Sequence, residues 1–311
     1  MRKGEACLAP TNMSFSYRDE TRELNELTRQ EVSGSFIQLS DGFTHYELGN
    51  PSPLAEGEGP GVRDVVLVHG FSVPCFIYDP TFEFLTRAGF RVLRYDLLGR
   101  GFSDRPDTRY NIDLFVRQLG DLLDALRFTR PVSLVSLSTG GPITAAFTAR
   151  FPDRVHKLVL IDPIGAKPLP CAGILKVAAM PFVGEALLNL VRSDGISWKI
   201  ASFFNRELVE GLGSRYIVQM QYKGFRRAIL STIRNKMLDS FLDVYQRLGK
   251  MGKPVLLFWG RDDPTVPFKH SHILRAAMPD MEFHAIENCG HIPHYEKPEE
   301  VNPILLRFLE D

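Results

Sequence analysis

The 311-residue sequence sets 37 Lys+Arg against 37 Asp+Glu, so its formal net charge is zero, and 44% of it is hydrophobic. Without a basic excess or a long Lys/Arg run, there is no electrostatic case for nucleic acid or an anionic membrane surface as a partner. The chain is longer than a typical single domain, but it suits an α/β fold carrying one insertion.

In chain order, residues 1–32 form a charged arm, expected to be a solvated tail, with an intersubunit clasp or a lid as the other options. Residues 18–27 have the pattern of a short helix within it. A hairpin follows: strand 35–39, a turn at Asp41-Gly42, and strand 44–48. Residues 50–61, rich in Pro, Gly and Glu, read as an exposed loop before a strand at 65–68. The β-branched and apolar run 132–137 reads as a strand and 143–150 as a helix, and 157–162 is a further strand. The stretch 165–250 is too long for one crossover and carries helical patterns near 173–190, 197–205, 214–224 and 225–249. Its apolar part, 174–191, is interrupted by Lys176, Pro181 and Glu185, which argues against a membrane span. A buried strand at 255–259 and an alternating last strand at 281–286 complete the pattern.

The most telling stretch is Ser136-Leu137-Ser138-Thr139-Gly140-Gly141, between a strand and a helix. A serine on such a corner has its hydroxyl pushed out above the sheet edge, and the helix behind it offers free backbone N–H groups. The corner needs small residues two positions to either side of the nucleophile. Ser138 has Ser136 and Gly140 there, whereas Ser136 would have Leu134, so Ser138 is the candidate. Alone, the stretch also reads as a serine-rich turn. A serine hydroxyl needs a base, oriented in turn by a carboxylate. Two later loops supply both types, Gly260-Arg261-Asp262-Asp263-Pro264 and Asn288-Cys289-Gly290-His291, each after a strand on the edge where parallel sheets hold their ligands.

With Val68-His69-Gly70-Phe71, Asp96-Leu97-Leu98-Gly99-Arg100-Gly101-Phe102-Ser103-Asp104 and Pro298-Glu299-Glu300, these motifs resemble the cap-bearing serine hydrolases of the α/β-hydrolase superfamily, over about residues 35–308. The resemblance implies an α/β-hydrolase fold, a mostly parallel sheet flanked by helices. It divides the chain into an arm (1–32), a first core part (33–164), a helical cap (165–250) and a second core part (251–311). It implies Ser138 as nucleophile, His291 as base and Asp263 as acid, with Asp262 the alternative. The backbone N–H groups of Phe71 and Thr139 are then the oxyanion hole, and His69 has a structural role. Phe71, Phe76 and Tyr78, with part of the cap, are expected to line an apolar substrate site. The usual first glycine of the elbow is here Ser136.

The four cysteines (Cys7, Cys75, Cys171, Cys289) lack metal-ligand spacing and are expected as free thiols. No metal or organic cofactor is expected. Met1-Arg2-Lys3 is not followed by an apolar signal core, so a cytoplasmic location is the expectation. A serine at the elbow, rather than aspartate, favours attack on a carbonyl. The leading reading is a carboxylesterase or lipase-like enzyme acting on a small lipophilic ester, with no nucleic-acid partner and no stable membrane insertion. The alternatives are carbon–carbon bond hydrolysis of a vinylogous diketone, which needs a cap arginine for the substrate carboxylates, and a non-catalytic ligand sensor.

Overall fold

The computed structural model describes residue 17 and residues 19–50, 63–169, 177, 179–190 and 209–311. Cys7, Cys171, the helical pattern at 197–205 and the expected loop beyond Asn50 lie outside the described residues. The strands are β1 (Ser35–Leu39), β2 (Gly42–Gly49), β3 (Asp64–Val68), β4 (Arg91–Tyr95), β5 (Val132–Leu137), β6 (Val155–Ile161), β7 (Val255–Gly260) and β8 (Glu282–Ile286). They form one sheet in the order β1-β2-β4-β3-β5-β6-β7-β8. β1 and β2 are a hairpin, β2 pairs antiparallel with β4, and every other pair is parallel. β3, β5 and β7 are buried along their whole length, which is why they read as largely apolar runs, broken only by Asp64, Ser133 and Ser136 before the closing glycine of β7.

The helices are α1 (Glu26–Glu31), α2 (Asp79–Arg87), α3 (Ile112–Ala125), α4 (Gly140–Arg150), α5 (Val183–Leu190), α6 (Val209–Met220), α7 (Phe225–Arg234), α8 (Leu242–Gly249), α9 (Lys269–Ala277), α10 (Pro293–Glu296) and α11 (Pro298–Glu310). Successive side chains of a strand face opposite sides, so the sheet divides the core in two. Val66, Val68 and Leu134 pack with Leu119 of α3, Phe147 of α4 and Tyr245 of α8. Val65, Leu67 and Val135 pack with Leu85 of α2 and Leu305 and Phe308 of α11. Between β6 and β7, α5 and α6 both pack on α7, whereas α8 lies on the sheet-flanking helices α4 and α9.

Most of the described arm is exposed, as a solvated tail would be, but its start is packed. Tyr17 and Glu20 are buried, and Glu20 caps the first turn of α7, its carboxylate accepting from Gly224 N at 2.6 Å and Arg226 N at 2.7 Å. A helix N-terminus presents unsatisfied N–H groups and a positive dipole end, so a carboxylate fits there. Arg226 pairs with Asp19 at 2.9 Å, and Arg22 and Tyr222 form an isolated bridge. Further on, Arg29 pairs with Asp104 at 2.7 Å. The arm therefore straps α7 to the hairpin end of the sheet.

At that end a buried ion pair joins β2 to the loop after β4. His45 Nδ1 donates to Asp96 Oδ2 at 2.8 Å and Nε2 to the Ser33 carbonyl at 2.8 Å. Two acceptors on one ring call for imidazolium. Burial opposes the charge, but Asp96 and the Ser33 carbonyl outweigh it and the His45 pKa is raised. Removing one partner of a buried pair costs about 3–5 kcal/mol, so His45→Ala is expected to lose that much on urea unfolding. Because the folded pKa is raised, the His45 contribution is full below its ordinary pKa and drains as pH rises through the raised one. The stability margin over His45→Ala should therefore shrink above about pH 6.5; a margin that grows with pH contradicts the assignment.

Candidate active site

Ser138 sits where β5 turns into α4, with φ +53°. That left-handed conformation is strained for a side chain other than glycine and persists only where the surroundings enforce it. Here Ser138 N donates to the Ile161 carbonyl at 2.9 Å, and the Ser138 carbonyl accepts from Gly141 N at 3.0 Å and Ile164 N at 3.2 Å. Ser136 fits the place of the customary glycine because its hydroxyl is absorbed: it donates to the Val159 carbonyl at 3.1 Å and lies 2.9 Å from Thr144 Oγ1.

The loop after β3 faces this corner. A Cβ on Gly70 would sit 3.1 Å from Ser138 Cβ and 3.7 Å from its Oγ. A Cβ on Gly140 would meet the Val68 carbonyl at 2.5 Å and the His69 carbonyl at 2.9 Å, so the start of α4 presses directly on the loop backbone. Gly140→Ala is expected to push the two apart and lower kcat by about 100- to 1,000-fold, the cost of losing one oxyanion donor. Unchanged kinetics in a folded variant would remove the loop from the chemistry.

His69 is fully buried and accepts from Leu97 N at 2.9 Å through Nε2, leaving Nδ1 to donate to the Gly70 carbonyl at 2.9 Å. Burial pulls its pKa down to about 4, so it is neutral and ties the loop to the end of β4. The Asp96–Asp104 segment completes the brace. Asp96 accepts from Cys75 N and Phe102 N, both at 2.9 Å. A side chain on Gly101 would overlap the Asp96 carboxylate. Arg100, buried and with no carboxylate partner among the described residues, donates to the Phe71 carbonyl at 2.8 Å and to Thr232 of α7 at 2.8 Å.

Across the sheet edge, His291 Nδ1 donates to Asp263 Oδ2 at 2.7 Å. The other oxygen, Asp263 Oδ1, accepts from Thr265 N at 2.7 Å and Val266 N at 2.9 Å. Asp262 is exposed. The acid turn is held by Trp259 Nε1 on the Val266 carbonyl at 3.1 Å, and the histidine loop by Glu296, which accepts from Gly290 N and Ile292 N. Gly260 has no room for a side chain, which would overlap the Gly290 carbonyl. Ser138, Asp263 and His291 thus lie at the C-terminal ends of β5 and β7 and in the loop after β8.

Of the expected substrate-lining residues, Phe71 is half-buried on the loop beside Ser138, with its ring 5.6 Å from the Arg100 guanidinium. Phe76 is buried under Arg215, 4.2 Å above its ring. Tyr78 is fully buried, its hydroxyl donating to the Val68 carbonyl at 3.1 Å and its ring 4.7 Å from His294; it has no surface left to meet a substrate. Thr139 is buried at the start of α4. Sequence reading missed Asp162, at the end of β6, which lies beside Asp263 and His291.

The alpha/beta hydrolase family model matches residues 65–304. The chain belongs to the alpha/beta hydrolase family. This alpha/beta hydrolase is 28% identical over 299 residues to the 2-hydroxy-6-oxononadienedioate/2-hydroxy-6-oxononatrienedioate hydrolase of Paraburkholderia xenovorans, covering 93% of this chain and 99% of that one. It is 31% identical to the protein of the same name from Klebsiella pneumoniae over 264 residues, 81% of this chain and 88% of that one. Among solved structures it resembles a meta-cleavage product hydrolase from Pseudomonas fluorescens (TM-score 0.71, 23% identity, 89% and 97% covered). A thermophilic esterase from Thermogutta terrifontis is similarly placed (TM-score 0.71, 21% identity, 90% and 98% covered). At these identities the structural likeness speaks for the fold. Among the described residues of this alpha/beta hydrolase, no helix is long and apolar enough to cross a membrane.

Proposed function

We propose that the chain is a serine hydrolase whose nucleophile, base and acid are Ser138, His291 and Asp263, and that it cuts a carbon–carbon bond beside a ketone conjugated to a dienoate. The observation that carries the triad is the Asp263–His291 hydrogen bond, which leaves Nε2 as the nitrogen able to take a proton. For the bond, the support is end-to-end similarity to hydrolases named for 2-hydroxy-6-oxo-dienedioates. Such a molecule has no ester, so its hydrolysis must break a carbon–carbon bond. His291 takes the Ser138 proton as the hydroxyl attacks the ketone, and the N–H groups of Phe71 and Thr139 receive the oxyanion. Before collapse the 2-hydroxyl proton must move to the carbon beside the ketone, giving the 2-oxo tautomer in which that carbon is saturated. Collapse then expels it with its electron pair as a dienolate conjugated to the 2-ketone, which His291 protonates. Water then releases the acid from Ser138.

A second reading, hydrolysis of a neutral ester with an apolar acyl group, is favoured by the cap arginines. Arg215 pairs with Asp79, Arg226 with Asp19, Arg227 with Asp107 and Arg234 with Glu185. Among the described residues, each cap arginine is thus already engaged by a carboxylate; Arg192 and Arg206 lie outside them. Rates on 2-hydroxy-6-oxononadienedioate and on short- to long-chain p-nitrophenyl esters, with Ser138→Ala as control, separate the two. The proposal expects kcat/KM for the dienedioate to exceed the best ester by at least about 10-fold. The reverse ranking makes the chain an esterase.

A further inference from the structure

We propose that Asp162 is held as a neutral carboxylic acid beneath the candidate triad and acts as a positioning residue, donating its proton in a hydrogen bond to Asp263. Asp162 directly follows β6, is fully buried and has φ +41°, a strained conformation for an aspartate. Its N–H donates to the Phe258 carbonyl at 3.1 Å and its Oδ1 accepts from Gly260 N at 2.9 Å. The second oxygen, Oδ2, is buried with no donor to accept from among the described residues. One oxygen of Asp162, one of Asp263 and one ring nitrogen of His291 lie within 4.8 Å of one another.

Two buried carboxyl groups this close do not both ionise, because each penalises the charge of the other. Hydrogen-bond partners decide which keeps the proton. Asp263 receives three donors, from Thr265 N, Val266 N and His291 Nδ1, and these suit an anion. Asp162 receives one. An oxygen with no donor facing it, next to an anion, is satisfied if it carries the hydrogen itself. Burial first, and then the charge of Asp263, raise the Asp162 pKa well above the usual carboxylate range. The other titratable groups around it are Glu296, which also disfavours a charge on Asp162, Cys289 and His291. Glu296 is itself engaged by Gly290 N and Ile292 N.

The chemical consequence rests on the serine hydrolase reading. A neutral Asp162 leaves His291 facing one negative charge instead of two. A second charge would make the imidazole more basic and keep it protonated, unable to accept from Ser138. The proton on Asp162 also helps to fix the Asp263 carboxylate.

The test combines difference infrared spectroscopy with pH–rate profiles for wild type, Asp162→Asn and Asp162→Leu. At neutral pH the wild-type spectrum should contain the carbonyl stretch of a protonated carboxylic acid, and Asp162→Asn should lose it. Asparagine retains a neutral N–H donor, so its acidic limb should match wild type and its kcat should stay within about threefold, whereas leucine should cost about 10- to 100-fold in kcat at unchanged KM. An acidic limb that moves down by about one pH unit in Asp162→Asn would mean a negative charge had been removed and would overturn the proposal, as would a wild-type spectrum without the acid band. The spectrum needs no turnover, so it decides the protonation of Asp162 even if the hydrolase reading fails or Asp162→Leu does not fold.

Discussion

Ser138→Ala is expected to lower kcat by about 10⁶-fold while leaving the fold and substrate affinity in place, the loss seen when a triad nucleophile is removed. The size follows from the division of labour at the corner. Ser138 supplies the nucleophilic atom of the first half of the proposed reaction. The loop at Gly70 and the start of α4, pressed together at Gly140, retain the proposed oxyanion donors without it. The residual rate should therefore stand about 10³- to 10⁴-fold above the uncatalysed reaction. The same substitution should not destabilise the chain, because alanine in place of serine removes one hydroxyl from a residue strained at φ +53°. Circular dichroism and urea unfolding beside steady-state kinetics check both halves. A variant retaining more than about a hundredth of wild-type kcat would place the nucleophile elsewhere.

Asp263→Asn is the second large effect, with an expected loss of about 10⁴-fold in kcat at little cost in stability. The carboxylate that accepts from His291 Nδ1 sets which nitrogen faces the serine. An amide at the same place can present its N–H to Nδ1 and stabilise the wrong tautomer. Asp262→Ala is the matched control: its side chain is exposed, and a change of that kind is worth about 0.5 kcal/mol or less, so kcat should stay within about twofold. Kinetics of the two variants on one substrate decide between neighbours that differ by a single position. An inactive Asp262→Ala beside an active Asp263→Asn would reverse the assignment.

Much of the core was legible because its strands are buried on both faces, so 65–68, 132–137 and 255–259 stand out as apolar runs ending in polar turns. The corner at Ser138 was legible for a steric reason, small residues two positions to either side. The candidate acid is harder to read, because Asp262 and Asp263 sit in the same turn. Their difference lies in the Thr265 and Val266 N–H groups, which hold one carboxylate inward, and such bonds leave no mark on composition. Asp162 was invisible for a similar reason: at the end of a strand it reads like any polar residue entering a turn. Only the pairing of β6 with β7 brings it to Gly260 and Asp263. The packing at the start of the arm is not legible in the sequence because its partner is remote, Glu20 meeting the start of α7 more than 200 positions away. Helix α3, by contrast, carries a readable signal in the sequence. Asn111 accepts from Leu114 N as its cap, and Leu114, Phe115, Leu119, Leu122 and Leu123 make one apolar face.

The most direct measurement of the central claim is fluorophosphonate labelling followed by peptide mapping of the modified residue. An activated serine reacts because a base takes its proton, so the account predicts one label per chain, on Ser138, abolished in Ser138→Ala and strongly slowed in His291→Ala. A label on another residue, or none on a folded chain, would contradict it.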